Sequence, residues 1–374
     1  MRSLVVLLCA CSSASSAPPS PTPPAPHAPV AATPPITAPT VIVGDPGATG
    51  RVIEAHVVAA IGDGIASDRP AYARIDQRVT LYAALVVDRD GKRSVYSDAK
   101  SLRLAGKTIT PTPIAKLPAI ELRWNRIEPA AASMSNGDTP ADFTFAPIDY
   151  RATPIDGAAG RAAIAADVRP TLIPDHGQGL GTMRYQIVAL QGERVVASAG
   201  PEARRGKGSG GVTDAVLRVS IRRDDTYLGY LTEMYGQPYI WASAGITDTG
   251  HQSEHLEGSD CADFIIYGKR RSGTRLAYTW TGGLPGYTTL LAAGDRASDG
   301  VYRDRKGQPL PFTQAGDLVL FPRHVGVLAV DRGTPGVLDD QDLMMHTLFD
   351  TPKEQAIGET SYADKPLELR RFKR

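Results

Sequence analysis

Ten prolines crowd residues 18–39, at positions 18, 19, 21, 23, 24, 26, 29, 34, 35 and 39, and the stretch holds no Asp, Glu, Lys or Arg. A backbone so short of N–H donors supports neither a helix nor a strand ladder, which leaves an extended, polyproline-like tether. The chain of 374 residues is thereby divided into a leader (1–17), a tether (18–40) and a long remainder that must supply every packed core. At ~3.1 Å per residue the tether reaches about 70 Å.

The leader carries Arg2, then the apolar run Leu4-Val5-Val6-Leu7-Leu8, then Leu8-Cys9-Ala10-Cys11. Basic, apolar and small residues in that order mark an export signal. The last four resemble the lipobox of bacterial lipoproteins, which implies acylation at Cys11. An ordinary secretory signal cut near Ala14 or Ala17 is the alternative. In both readings the chain is exported, and the lipobox reading places it in the periplasm or at the outer membrane, held by lipid alone. The three cysteines are Cys9, Cys11 and Cys261, so with Cys9 removed and Cys11 lipidated, Cys261 has no partner for an internal disulfide.

After Thr40 short apolar runs alternate with Gly, Pro and Asp. Strands are expected at Arg51–Ile61, Val79–Val87, Arg93–Tyr96, Ser101–Ile109, Ala119–Ile127, Met183–Leu190, Arg194–Ser198 and Ala215–Ile221, the pattern of a β-rich, sandwich-like domain over 41–220. Residues 128–180 show no clear period, and glycines 206, 208, 210 and 211 lack the Lys-Ser/Thr ending of a phosphate loop. From Asp224-Asp225 the period changes. Tyr227, Leu228, Leu231, Met234 and Tyr235 suit a helix ending at Gly236, and Ser259-Asp260 caps a second helix that ends at Ser272-Gly273. Strands follow at Asp317–Phe321, Val325–Val330, Leu343–Phe349 and Leu367–Phe372. The expected class is α+β, with a second domain over 221–374.

Lys and Arg number 41 against 40 Asp and Glu, a formal net charge of +1, so bulk charge implies no nucleic-acid partner. The composition, 42% apolar and 22% charged, excludes pervasive disorder.

Cys261 falls in the first turn of the second helix, where free N–H groups and the helix dipole favour a thiolate nucleophile. His324 heads a strand and suits a general base, and His346 on the next strand suits a group that orients it. His27, His56 and His176 stand in no such context.

These residues resemble the NlpC/P60 family of cell-wall cysteine peptidases. The matching stretches are Gly236-Gln237-Pro238-Tyr239-Ile240-Trp241, Asp260-Cys261, Gly316-Asp317-Leu318-Val319-Leu320-Phe321, His324-Val325-Gly326-Val327 and Met345-His346-Thr347. The resemblance implies a papain-like domain of helices and a small antiparallel sheet, acting on a peptidoglycan stem peptide without a cofactor or catalytic metal. It makes Cys261 the nucleophile, His324 the base and His346 the orienter. Tyr239, Asp260 and Trp241 become oxyanion and substrate-binding residues. The sequence departs from the family pattern in two places: Ala262-Asp263 replaces Ser-Gly, and residues 242–258 are an insertion between Tyr239 and Cys261.

Within the insertion, His251-Gln252-Ser253-Glu254-His255 fits H-x-x-E-H, whose two histidines bind zinc when they share one helix face. Flanking glycines make a polar loop the simpler expectation. A rival from another class is a wall- or partner-binding lipoprotein whose β-rich domain does the binding. The lipobox reading is checked by fractionation: wild type should partition with membranes, Cys11→Ala should be released or stall in processing, and Cys9→Ala should do neither. A fully soluble exported chain with its mature N-terminus beyond Ser12 would refute it.

Overall fold

In the computed structural model residues 41–373 are described, and they fall within one unit. The expected export leader, Cys11 and the expected tether lie outside the described residues. Among the described residues there are three seven-stranded sheets and one two-stranded pair.

Three long strands open the first half: β1 (Arg51–Ile61), β2 (Val79–Arg89) and β3 (Ile120–Pro129). β1 and β2 pair antiparallel, with Ala59 opposite Leu81. Next come the short β4 (Ser133–Ser135), the long β5 (Gly181–Gln191) and β6 (Leu217–Arg222). β5 lies between β3 and β6 in a second sheet. Alternation sends Leu81, Ala83, Leu85 and Val87 of β2 into one core with Trp124, Tyr185, Ile187 and Val219 of the facing sheet. Ala84 turns the other way, to Val58 and Ala60. The period-free stretch 128–180 serves this core. Buried Trp124 donates Nε1–H to the Arg161 carbonyl (2.8 Å), and Tyr185 donates its hydroxyl to the Asp167 carbonyl (2.7 Å), so neither ring buries an unpaired donor.

The remainder comprises α1 (Tyr227–Leu231), β7 (Tyr239–Trp241), α2 (Cys261–Arg271), α3 (Leu284–Tyr287), β8 (Thr288–Arg296), β9 (Leu318–Phe321), β10 (His324–Val330), β11 (Leu343–His346), β12 (Lys353–Ala356) and β13 (Leu367–Phe372). The expected α+β class with a helical papain-like C-terminal domain is corrected here. Strands predominate, and among the described residues the α-helices are three, of 5, 11 and 4 residues. Local chemistry explains the difference. The first expected helix tightens to a 3-10 turn at Thr232–Met234 and stops where Gly236 takes φ +71°. Beyond Gly273, the Thr281-Gly282-Gly283 and Pro285-Gly286 steps break every longer helical run. β8, a strand the sequence pattern did not show, begins two residues later.

The last sheet runs β8-β13-β9-β10-β11-β12, with Tyr302–Arg303 at its outer edge, and its pairs are antiparallel. Leu318, Leu320, Val325, Val327 and Met345 face α2, where they meet Phe264, Ile265 and Cys261. Val319, Phe321, Leu328 and Met344 face the opposite side, covered by Tyr302, Leu310 and Leu338. α2 packs closely on α1 because Gly268 has no side chain; a Cβ there would lie 2.5 Å from Leu231.

The expected boundary near residue 220 falls within β6. Across it, β4 pairs in parallel with β7, and the Thr182 N–H donates to the Tyr235 carbonyl. Fully buried Glu233 binds Arg222 of β6 (3.3 Å), Arg271 of α2 (2.8 Å) and the Tyr267 hydroxyl. Removing one member of such a buried cluster strands the others. Glu233→Ala should therefore lower unfolding free energy by about 3–5 kcal/mol and Glu233→Gln by less, measured by urea titration. Parental stability in the Ala variant would show that the cluster does not tie α2 to the first half.

Candidate functional site

The helix that carries Cys261 starts where the sequence places its cap. Asp260 is extended (φ −83°, ψ −177°), and its Oδ1 accepts from the Ala262 and Asp263 N–H groups, both at 2.9 Å. Tyr239 precedes Cys261 by 22 positions in the sequence, yet the insertion closes on itself and brings the two back together. The Ile240 N–H donates to the Ser259 carbonyl (3.0 Å), and the Ser259 N–H to the Pro238 carbonyl (3.3 Å). The Tyr239 phenol is held well above its ordinary value by burial and by the neighbouring thiol, so it is a neutral O–H donor.

Cys261 is 7% exposed, and the Val325 N–H lies near enough to its sulfur to favour the thiolate. That amide belongs to the residue after His324. Burial, and then the charge of Asp260, hold the thiol well above its ordinary value, which outweighs the two backbone N–H groups favouring a thiolate. The low thiol value expected from the helix start is thus corrected. Asp260 is itself pushed up by burial and by Asp263.

The two histidines meet. His324 Nε2 lies 3.0 Å from His346 Nδ1, and His346 Nε2 lies 3.0 Å from Gln355 Oε1. Hydrogen positions follow from the far end of this chain. Gln355 donates Nε2–H to the Glu359 carbonyl (3.1 Å), so its Oε1 faces His346 as an acceptor. His346 Nε2 must then carry hydrogen, its Nδ1 accepts, and His324 donates Nε2–H. The remaining ring atom, His324 Nδ1, is left with a bare lone pair; it is buried and has no hydrogen-bond partner. Burial, and secondarily His346, hold His324 well below its ordinary value, and burial lowers His346 to about 4. Both rings are neutral at neutral pH.

Sulfur and imidazole therefore form no hydrogen bond in this state. Val325 and Val327 face α2, whereas the His324 ring stacks near Phe321 (6.1 Å) and Tyr362 (5.0 Å). Tyr362 also neighbours the thiol, whose charge raises its phenol after burial does. Gly326 leaves the room that His346 uses: a Cβ would fall 3.3 Å from the His346 Cβ and 2.7 Å from the Met344 sulfur.

The structure brings Tyr239, Asp260 and Cys261 together, joins His324 to His346, and leaves Trp241 52% exposed. It does not assemble the zinc motif. His251 stacks on Tyr278 (3.7 Å) and pairs with Asp263 (3.4 Å), Glu254 binds Arg270, and His255 lies in a run of turns. Among the described residues no three His, Cys, Asp or Glu side chains gather as a metal site. A cleft of about 400 Å³, lined among others by Thr281, Arg305, Phe321, Pro322 and Glu368, opens beside the β9–β10 turn. None of Cys261, His324 and His346 lines it. The sequence reading missed Gln355 and Tyr362. Gln355 could have been found by parity, because it sits opposite Met344, diagonal to His346 on the same face; Tyr362 left no such signal.

Comparison with protein-family models, with curated proteins and with solved structures finds no match for this chain.

The lowered histidines carry a stability signature. Below pH 6.5 an unfolded histidine binds a proton that the folded one refuses, so stability is full above that value and is lost as pH falls. For His346, lowered from 6.5 to about 4, the loss amounts to about 3 kcal/mol. Between pH 7 and 4.5, wild type should lose more unfolding free energy in urea than His346→Gln does. Identical losses would mean that the histidines are protonated when folded.

Proposed function

We propose that the chain is a cysteine-dependent amide hydrolase of the cell envelope that cleaves a peptidoglycan stem peptide. The bare, buried Nδ1 of His324, on the residue before the Val325 amide that favours the Cys261 thiolate, is the observation that supports this reading most. A chain of hydrogen bonds fixes a base in one tautomer and leaves its lone pair unused. The substrate class rests on the motif stretches that resemble the NlpC/P60 family.

In this reading the resting pair is neutral. When substrate enters, thiol and imidazole close the gap that separates them at rest, and His324 Nδ1 takes the Cys261 proton as sulfur attacks the carbonyl carbon. The imidazolium passes its positive charge toward His346, and Gln355 keeps that ring oriented. The Tyr239 hydroxyl and the Cys261 N–H face the developing oxyanion. The proton on His324 then goes to the leaving amine, and water repeats the sequence on the thioester to release the acid.

The unbonded sulfur and imidazole favour one second reading, a wall-binding protein in which Cys261 is no longer used. Digestion of purified peptidoglycan, with mass analysis of the products, separates the two. Cys261→Ala should abolish turnover, His324→Ala should reduce it by about 10²–10⁴-fold, and His346→Ala by less. Iodoacetamide should alkylate Cys261 more slowly at pH 7 than it does an unfolded-peptide thiol, because burial keeps the proton on sulfur. Undiminished hydrolysis by Cys261→Ala would sink the cysteine mechanism, and rapid alkylation at pH 7 would sink the neutral resting pair.

A further inference from the structure

Two residues near Tyr239 hold backbone conformations that side chains disfavour. Phe349 takes φ +52° and Ala242 takes φ +55°, and such strain persists only where the surroundings impose it. Both are held by residues of the first half. Asn136 donates Nδ2–H to the Ala242 carbonyl (2.8 Å) and also to Gln252 Oε1 (2.8 Å). The Phe349 loop is held at its next residues: Asp350 Oδ2 binds His176 Nε2 (3.0 Å) and Lys353 Nζ (2.9 Å), and the Thr351 hydroxyl donates to the Pro174 carbonyl (3.3 Å).

This clamping presents aromatic surface to solvent rather than burying it. Phe349 is 62% exposed and its ring centroid lies 5.1 Å from that of Tyr239, which neighbours the thiol. Trp241, two residues on from Tyr239 and 52% exposed, is on the same face of β7. Exposed Phe349, its ring tilted at 58° to that of Tyr239, and exposed Trp241 thus form an aromatic ledge next to a buried tyrosine.

We propose that Phe349 and Trp241 are recognition residues that stack a sugar ring of the substrate, so that the site selects stem peptides still attached to the wall glycan. The proposal rests on the cysteine-hydrolase reading for its substrate. A pyranose offers a face of C–H groups that packs on an aromatic ring, while its hydroxyls stay in water at the rim. The first half of the chain then serves the site directly, because Asn136, His176 and Pro174 hold the ledge in place.

The test compares kcat/KM for a disaccharide–tetrapeptide from the wall with that for the same tetrapeptide without sugar. Wild type should prefer the sugar-bearing substrate by roughly threefold to tenfold, the range expected of one or two aromatic stacks. Phe349→Ala with Trp241→Ala should bring that ratio close to one, and Phe349→Tyr with Trp241→Phe should keep it. A ratio that does not change in the alanine variant overturns the ledge and leaves the hydrolase reading intact. In parallel, the wall disaccharide alone is titrated against Cys261→Ala protein with and without the two alanines. Disaccharide binding that the alanines remove supports the ledge even if wild type cleaves neither substrate, in which case only the hydrolase reading falls. Equal binding by both proteins, or no binding by either without a sugar preference in wild type, overturns the ledge.

Discussion

The register of one hairpin decides what the rest of the site can be. Pro322-Arg323 closes β9 onto β10 with Phe321 opposite His324 and Leu320 opposite Val325. A slip of one residue would exchange the two faces of β10. In the observed register Val325 and Val327 turn to α2, and the Val325 amide lies near the Cys261 sulfur. His324 and Gly326 turn to the side where His346 stands. The two-residue turn locks this choice, because loop length sets the register of a hairpin and both faces of β9 are buried. The histidine pair is thus a consequence of that register, and Gly326 avoids crowding Met344 and His346.

Burial then sets the protonation states. A thiolate–imidazolium pair needs solvent or close contact to stabilise two charges, and this site offers neither, because Cys261, His324 and His346 are all nearly excluded from water. Asp260 adds to the effect, for the carboxylate that caps the helix also lies beside the sulfur. Helix dipole and desolvation oppose each other at the same atom, and desolvation is larger. Charge therefore develops only with a substrate present, when the fixed tautomer of His324 offers a lone pair with no competing donor.

The sequence made the hairpin and the Cys261 helix legible because short-range chemistry specifies them: an Asp cap, a Gly stop, and alternating apolar residues on either side of a two-residue turn. It misjudged the architecture around them. An α+β domain with two helices was expected from the 3–4 spacings and caps, and a papain-like one from the resemblance, but 227–235 holds only one turn of α-helix before it tightens, and the breakers after Gly273 hand the chain to strands. The strand expected to run to Phe349 ends at His346, since the left-handed conformation of Phe349 leaves no room for a ladder. Gln355 was readable only once the pairing of β11 with β12 was known. His176 and Asn136 were invisible for a different reason, because their partners lie more than 100 residues away in the sequence and no local pattern records such a distance.

Ala262-Asp263 and the 242–258 segment, where the sequence departs from the motifs it resembles, are one feature. Asp263 places a second carboxylate in the first turn of α2, close to Asp260, where a small neutral residue would have left space and no charge. Its buried oxygen accepts from the Ser243 hydroxyl (2.6 Å) and pairs with His251, and the Asp260 N–H donates to the same Ser243 oxygen (2.9 Å). Ser243 and His251 both belong to the insertion 242–258. Without the insertion Asp263 would be a buried acid lacking a partner, at a cost of several kcal/mol; without Asp263 the insertion would lose its buried bond to the first turn of the helix and keep the outer Glu254–Arg270 pair. Each explains the other, and together they brace the helix start from beneath while leaving the Trp241 side open to solvent.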